Sequence, residues 1–400
     1  MDARIPDVLI VGAGVFGLSS ALELRARGHS VVVLDPGPLP QPLAASTDIS
    51  KVIRLEYGDD DSYLDWMEAA RTGWLEWNVE FRDELFHETG IAFLARAPMT
   101  PGGFEYESYQ RLLRRGHKPE RVDAKAIAER FPAWAPEYFT DGFFHARGGY
   151  AESGRVMEAL VARAQARGVQ FRLGRRGTAL VMADARCAGV RDEFGWVHRG
   201  GSVVLAVGAW TQNLVPELRN ELRSTGHPVF HLAPPPGAEF RDHRRFPVFT
   251  ADISRSGWYG FPLHPRAGVL KIASHGVGLE LDAERSAREV TPLDELALRN
   301  FLGAALPGLA HAKIVATRRC LYSDSRDGHF LIDRHPRIRN LVVAAGDSGH
   351  AFKFAPVLGT FVANAVEFGT IIPRFRWRAL PPETRTAEAA RATNDRVARN

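Results

Sequence analysis

Cysteine is almost missing from this chain: there are two in 400 residues, Cys187 and Cys320, far apart. Two thiols make neither a disulfide framework nor a metal ligand set. They fit a reducing, cytoplasmic setting. Lysine is scarce too. Only six of the 51 basic residues are lysine, at positions 51, 118, 125, 271, 313 and 353. Arginine therefore carries the basic character, and each lysine invites a question. The net charge of +4 is spread along the chain with no basic stripe, so there is no footprint for nucleic acid. Long apolar runs are absent. The first, Val8 to Val15, is too short to span a bilayer and has no basic flank. No metal, membrane or nucleic-acid partner is expected. What is present is the composition of an ordinary folded protein. A chain of 400 residues exceeds the usual size of one core, about 100–200 residues, and predicts two lobes.

Residues 7–11 are continuously apolar and read as a buried parallel strand. A glycine turn follows, then a helical pattern from Leu18 to Arg27 closed by Gly28, then a second buried strand from Val31 to Leu34 ending at Asp35. Within this βαβ unit, Gly12-Ala13-Gly14-Val15-Phe16-Gly17 matches the pattern G-x-G-x-x-G. Gly12 permits the tight turn, Gly14 lets backbone approach a pyrophosphate, and Gly17 lets helix and strand pack closely. The helix start offers free N–H groups and a positive dipole to phosphates. Asp35 can accept both ribose hydroxyls. These residues predict a site for the ADP half of a dinucleotide. By themselves they leave FAD, NAD and a non-catalytic dinucleotide-binding protein open.

Further on, 62–86 reads as a long amphipathic helix with Trp66, Met67, Trp74 and Trp77 on its core face. A helix is expected from Arg155 to Arg167 and a strand from Val203 to Val207, followed by Gly208-Ala209-Trp210. Residues 225–315 change character. Phe246–Ile253 and Gly268–Ala273 read as strands of a separate sheet. Asn340–Ala345 is one more strand, and a glycine-containing turn from 346 leads into a helix over 356–368. The last twenty residues are polar and alanine-rich. Cys187 has no chemical context and is expected in the core.

Four later segments resemble the D-amino-acid-oxidase-like FAD-dependent amine oxidases, in the branch of the sarcosine and fructosyl-amine oxidases. They are Ala45 to Arg54 with Tyr57-Gly58, Tyr259 to His275, Arg319 to Asp333, and Gly346 to Pro356. The resemblance implies FAD. It implies flavin contacts from Ser46, Ser50, Lys51, Gly208, Trp210, Gly349, His350, Phe352 and Lys353, and a thioether from Cys320 to the flavin 8α carbon. Arg54 matches the arginine that binds the substrate carboxylate, and Lys353 takes the place of a second cation for it. A planar guanidinium suits this task because it bonds both carboxylate oxygens. Lys271 matches the lysine that promotes reaction of reduced flavin with O2, where a cation stabilises superoxide-like charge. Tyr259 and His275 match substrate-side residues. Asp48-Ile49-Ser50-Lys51 is worded like the fructosyl-amine oxidases, whereas His275 is not.

The implied architecture is α/β in two domains. A Rossmann-like FAD-binding domain is expected from 1–85, 148–222 and 316–375. A substrate domain with a mainly antiparallel sheet is expected from 86–147 and 223–315, and a polar tail over 379–400. The implied reaction oxidises the C–N bond of a secondary or cyclic amino acid to an imine, with O2 reduced to H2O2. The partners are a small-molecule amino acid and O2, and the expected state is a monomer. A fructosyl-amino-acid oxidase and a biosynthetic tailoring oxidase or dehydrogenase are the alternatives within the same chemistry.

Overall fold

The apolar run Val8–Val11 is buried throughout and takes the inside of a sheet, pairing in parallel with Val31–Asp35 on one side and Ser202–Leu205 on the other. Six strands follow the order Leu331–Arg334, Leu341–Ala345, Ser202–Leu205, Val8–Val11, Val31–Asp35, Gln170–Leu173. Only the edge strand Leu331–Arg334 runs antiparallel. The computed structural model describes residues 5–237, 239–369 and 372–381; most of the polar tail expected over 379–400 lies outside them. The helix Val15–Ala26 leaves the glycine turn and packs on Ala355–Glu367. They approach closely because Gly359 faces it: a Cβ there would lie 2.3 Å from Ser19 O. The Ser19 hydroxyl also donates to Ala355 O at 2.9 Å.

A second, nine-stranded sheet draws on residues 91–145 and 222–325. It is antiparallel except where Val248–Ala251 runs parallel to Ile91–Ala95. Its longest pairing joins Leu222–Leu232 to Ile314–Ser325, and Cys320 lies on the latter strand opposite His227. One face buries an aromatic core that includes Trp134, Phe230, Phe249, Trp258 and Phe301. The mixed α/β class expected from sequence is what forms. Cys187 is fully buried among the apolar residues behind the parallel sheet, as expected.

Two local features differ from the sequence expectation. The helix expected over 62–86 runs Asp61–Phe81 and stops at Arg82, which has φ 52°. The reason is the Asn78 side chain. It accepts from the N–H groups of Leu85 and Phe86 and donates to Phe86 O, which turns the chain into the short strand Phe86–His87. The three-stranded sheet formed by Gly177–Ala183, Arg186–Asp192 and Val197–Arg199 has no counterpart among the expected strands. Its first strand is mostly exposed, so it carries no clear alternation of buried and polar residues. Among the described residues no helix is long and apolar enough to cross a membrane.

Candidate active site

The glycine turn opens onto a cavity of about 630 Å3. Gly12 sits at φ +100°, and a Cβ on it would lie 2.4 Å from Ala206 O; a Cβ on Gly17 would lie 1.9 Å from Gly12 O. Glycine is thus required at both positions by close backbone contact. Gly12, Ala13, Gly14, Val15 and Phe16 line the cavity, while Gly17 is packed behind the turn. Asp35 lines it too, and has a second task. Its carboxylate accepts from Ala13 N and Gly37 N, each at 2.7 Å, and so ties the turn to the end of the second strand. Burial raises the Asp35 pKa against the pull of these two bonds. The Ser46 hydroxyl accepts from Val15 N at 3.3 Å, bringing the 43–51 segment against the turn.

The cavity runs on to Gly208 and Trp210, and then to Lys51, Tyr322, Gly349 and Phe352. Cys320 is adjoining: its Sγ is 3.9 Å from Lys51 Nζ and packs against Tyr322 and Ala45. Beyond it lie three groupings of charged and aromatic side chains. In the first, Lys271 is buried on an apolar strand and paired with Asp48, Nζ to Oδ2 2.5 Å, while donating to Ser50 O at 2.6 Å. Burial pulls the Lys271 pKa down to about 8, with Asp48 working against that pull. Burial would raise Asp48, but Lys271, then His231 and Lys51, hold it well below the usual carboxylate range.

In the second grouping, Arg54 and Lys353 meet over one ring. Arg54 Cζ is 4.9 Å and Lys353 Nζ 5.2 Å from the centroid of Tyr57, and Lys353 also donates to the Tyr57 hydroxyl at 3.1 Å. Behind them Glu56 bonds His145 Nδ1 at 2.6 Å. Burial opposes its charge, but His145 and then Arg54 bring Glu56 below its ordinary range. In the third, Tyr259 and His275 stand edge to face at 6.4 Å, with Tyr322 beside both. Burial raises the Tyr259 pKa, so the phenol stays protonated.

The matching family model is that of the FAD-dependent oxidoreductases called DAO, over residues 7–365. The chain belongs to this family. It is 30% identical to L-saccharopine oxidase of Schizosaccharomyces pombe over 400 residues, covering 90% of this chain and 89% of that one. It is 27% identical to monomeric sarcosine oxidase of Bacillus sp. over 375 residues, covering 91% and 93%. Its fold is similar to that of Amadoriase I, the fructosyl amine:oxygen oxidoreductase of Aspergillus fumigatus, with TM-score 0.79, 26% identity, and 94% and 90% of the two chains covered. The DAO-family fold accounts for the two large sheets and for FAD as the cofactor.

The cavity residues fit that cofactor. The turn presents backbone where a Cβ would collide, and Gly14 at the helix start has no side chain to cap the N–H groups, of which Val15 N reaches the Ser46 hydroxyl. Of the expected flavin contacts, Ser46, Lys51, Gly208, Trp210, Gly349 and Phe352 line the cavity. Ser50, His350 and Lys353 do not; the Lys353 ammonium is turned to the Tyr57 hydroxyl. The Ser50 carbonyl holds Lys271, and His350 is buried between the Tyr57 hydroxyl and Gly328 O. The sequence motifs contain Asp48 and Tyr57 but give neither a task. Nothing in a linear reading pairs Asp48 with a lysine 223 positions away. Tyr57, the ring shared by two cations, stands three residues after Arg54, a spacing that could draw attention to it.

Proposed function

We propose that this FAD-dependent oxidoreductase oxidises the C–N bond of an amino acid with a secondary or cyclic amine, N-methyl or pipecolate-like, to an imine. O2 is reduced to H2O2. The observation that carries this reading is the convergence of Arg54 and Lys353 on Tyr57, two buried basic side chains within 4.9 and 5.2 Å of one ring. A substrate carboxylate suits such a pair, because its two oxygens match a guanidinium and an ammonium adds a second positive contact. The division into an FAD-binding and a substrate domain belongs to the same proposal. The strand Ile314–Ser325 pairs in the nine-stranded sheet and crosses the boundary placed at 315/316.

FAD, when bound, accepts the two electrons and passes them to O2. The chain's own residues do the rest. Arg54 and Lys353 hold the carboxylate and so fix where the amine sits. Tyr57 and Phe104 flank Arg54 and keep water from it. Tyr259 keeps its proton and serves as a hydrogen-bond donor on the substrate side, with His275 next to it. Lys271 supplies positive charge as O2 takes its first electron, and Asp48 holds its ammonium in place. Cys320 is the residue for a thioether to FAD, and Lys51, 3.9 Å from its sulfur, faces the charge that develops there.

A fructosyl-amino-acid substrate is the second reading, favoured by the Asp48–Lys51 segment and by the likeness to Amadoriase I, and opposed by His275. Peroxide release across N-methyl, cyclic and glycated amino acids decides between them. Release with the first two groups is expected. Release with glycated substrates alone would move the assignment to the second reading. In the same assay Arg54→Ala should raise KM for carboxylate substrates by about 10–100-fold with flavin content kept. Equal loss of both would make Arg54 structural.

A further inference from the structure

Residues 276–291 take no part in the reading of the substrate, yet they close one side of the FAD cavity. The segment leaves the strand Leu270–Ser274 and pairs through Leu279–Glu280 with Leu222–Leu232. Leu281 N then donates to Ser224 O at 2.9 Å. Asp282 makes a tight turn by accepting from Glu284 N and Arg285 N. At the far end Arg319 donates to Glu289 O at 2.9 Å and pairs with Asp294 in the helix Pro292–Ala305. Between these two anchors, Ala283, Glu284, Ser286 and Arg288 face the cavity.

Three contacts hold the turn against the opposite walls. Ala283 packs with Ala209 and Leu321. Glu284 forms an ion pair with Arg176, which lines the cavity just before the first strand, Gly177–Ala183, of the small three-stranded sheet. Arg288 lies over the ring of Trp210, Cζ 4.7 Å from its centroid, and donates to Leu43 O at 3.2 Å and Ala283 O at 2.9 Å. Its acceptors are carbonyls; among the described residues no carboxylate pairs with it. Burial, and then Arg318, pull its pKa below the ordinary arginine value, though a guanidinium stays charged. A half-buried cation with only neutral partners is costly until an anion joins it. FAD brings such an anion in its pyrophosphate. The glycine turn meets it with backbone and dipole alone, since the first turn of Val15–Ala26 holds no basic side chain.

We propose that Arg288 is an FAD-binding residue carried on a strap, residues 281–289, which swings off Trp210 to admit the cofactor and latches again through Glu284 and Arg176. Opening is cheap. The latch side chains are 47% and 37% exposed, where an ion pair is weak, and only Ala283 of the strap is buried deeply. The inference rests on FAD filling the cavity and is independent of the substrate.

The test uses holoprotein carrying Cys320→Ser, so that FAD is held without a bond, and follows its release on dilution by flavin fluorescence. Arg288→Ala should speed release by more than about tenfold, the combined weight of a stacked and charge-assisted contact. Arg288→Lys should fall between, because it keeps the charge and loses the planar fork. Glu284→Gln should speed release by up to about fivefold and weaken the acceleration that added salt produces in the parent, leaving the share that comes from the Arg288 contact. If Arg288→Ala fails to fold, the Glu284 measurements decide. Release unchanged in the variants that fold, or a salt effect undiminished by Glu284→Gln, would overturn the strap.

Discussion

At the Asp35 end of the FAD cavity the walls are backbone and glycine; at the Cys320 end they are charged and aromatic side chains. The first end is drawn mainly from one stretch, Val11 to Asp35, with Ser46 and Ala206 closing against it. The second is gathered from 48–57, 259–275, 320–322 and 349–353. The difference teaches what each end can tolerate. A steric site fails through one added carbon. An electrostatic site keeps its shape and changes its chemistry.

The largest effect is expected from attacking the steric end. Gly17→Ala puts a carbon 1.9 Å from the Gly12 carbonyl, an overpacking cost of about 1–3 kcal/mol or more, and should give protein without bound flavin. Absorbance of the purified protein near the flavin band checks it; full flavin content would show that the turn yields more easily than its contacts imply. Next is Lys271→Met at the other end. It should leave anaerobic flavin reduction intact and slow re-oxidation by O2 by about 100-fold or more, as stopped-flow traces would show. Unchanged re-oxidation would remove Lys271 from the oxygen step.

The smallest effect concerns pH. Lys271 is charged below about 8 and neutral above it, so re-oxidation should fall as pH rises through that value. Asp48 works to raise the Lys271 pKa. Asp48→Asn should therefore move the falling limb to lower pH while Lys271→Met abolishes it. A limb that stays in place in both variants would belong to another group.

Much of the fold is legible in the sequence because its signals are contiguous. The apolar strand at Val8–Val11, the glycine spacing and the acidic end at Asp35 all lie within one βαβ unit. Lysine scarcity makes Lys51, Lys271 and Lys353 stand out within their motifs, and all three stand at the Cys320 end. The Asn78 side chain that ends the long helix is not legible, because its partners lie after the helix. Arg288 lies in a region whose sequence signals are those of strands, and its partners Trp210 and Leu43 are far away along the chain. Ser50 and His350 show the converse limit. A motif places a residue in the right loop without saying which way it faces.

By itself the sequence determined the dinucleotide turn, the class of the fold and the short set of basic residues available for chemistry. The physical reason is that backbone turns, strand burial and helix starts are local matters, decided within a few residues. The tertiary structure alone decided which charges meet. Lys271 became a buried ion pair because Asp48 arrives from another segment. Arg54 and Lys353 came together because both reach the Tyr57 ring from separate segments. Arg288 came to rest over Trp210 because two anchors hold its loop across the cavity.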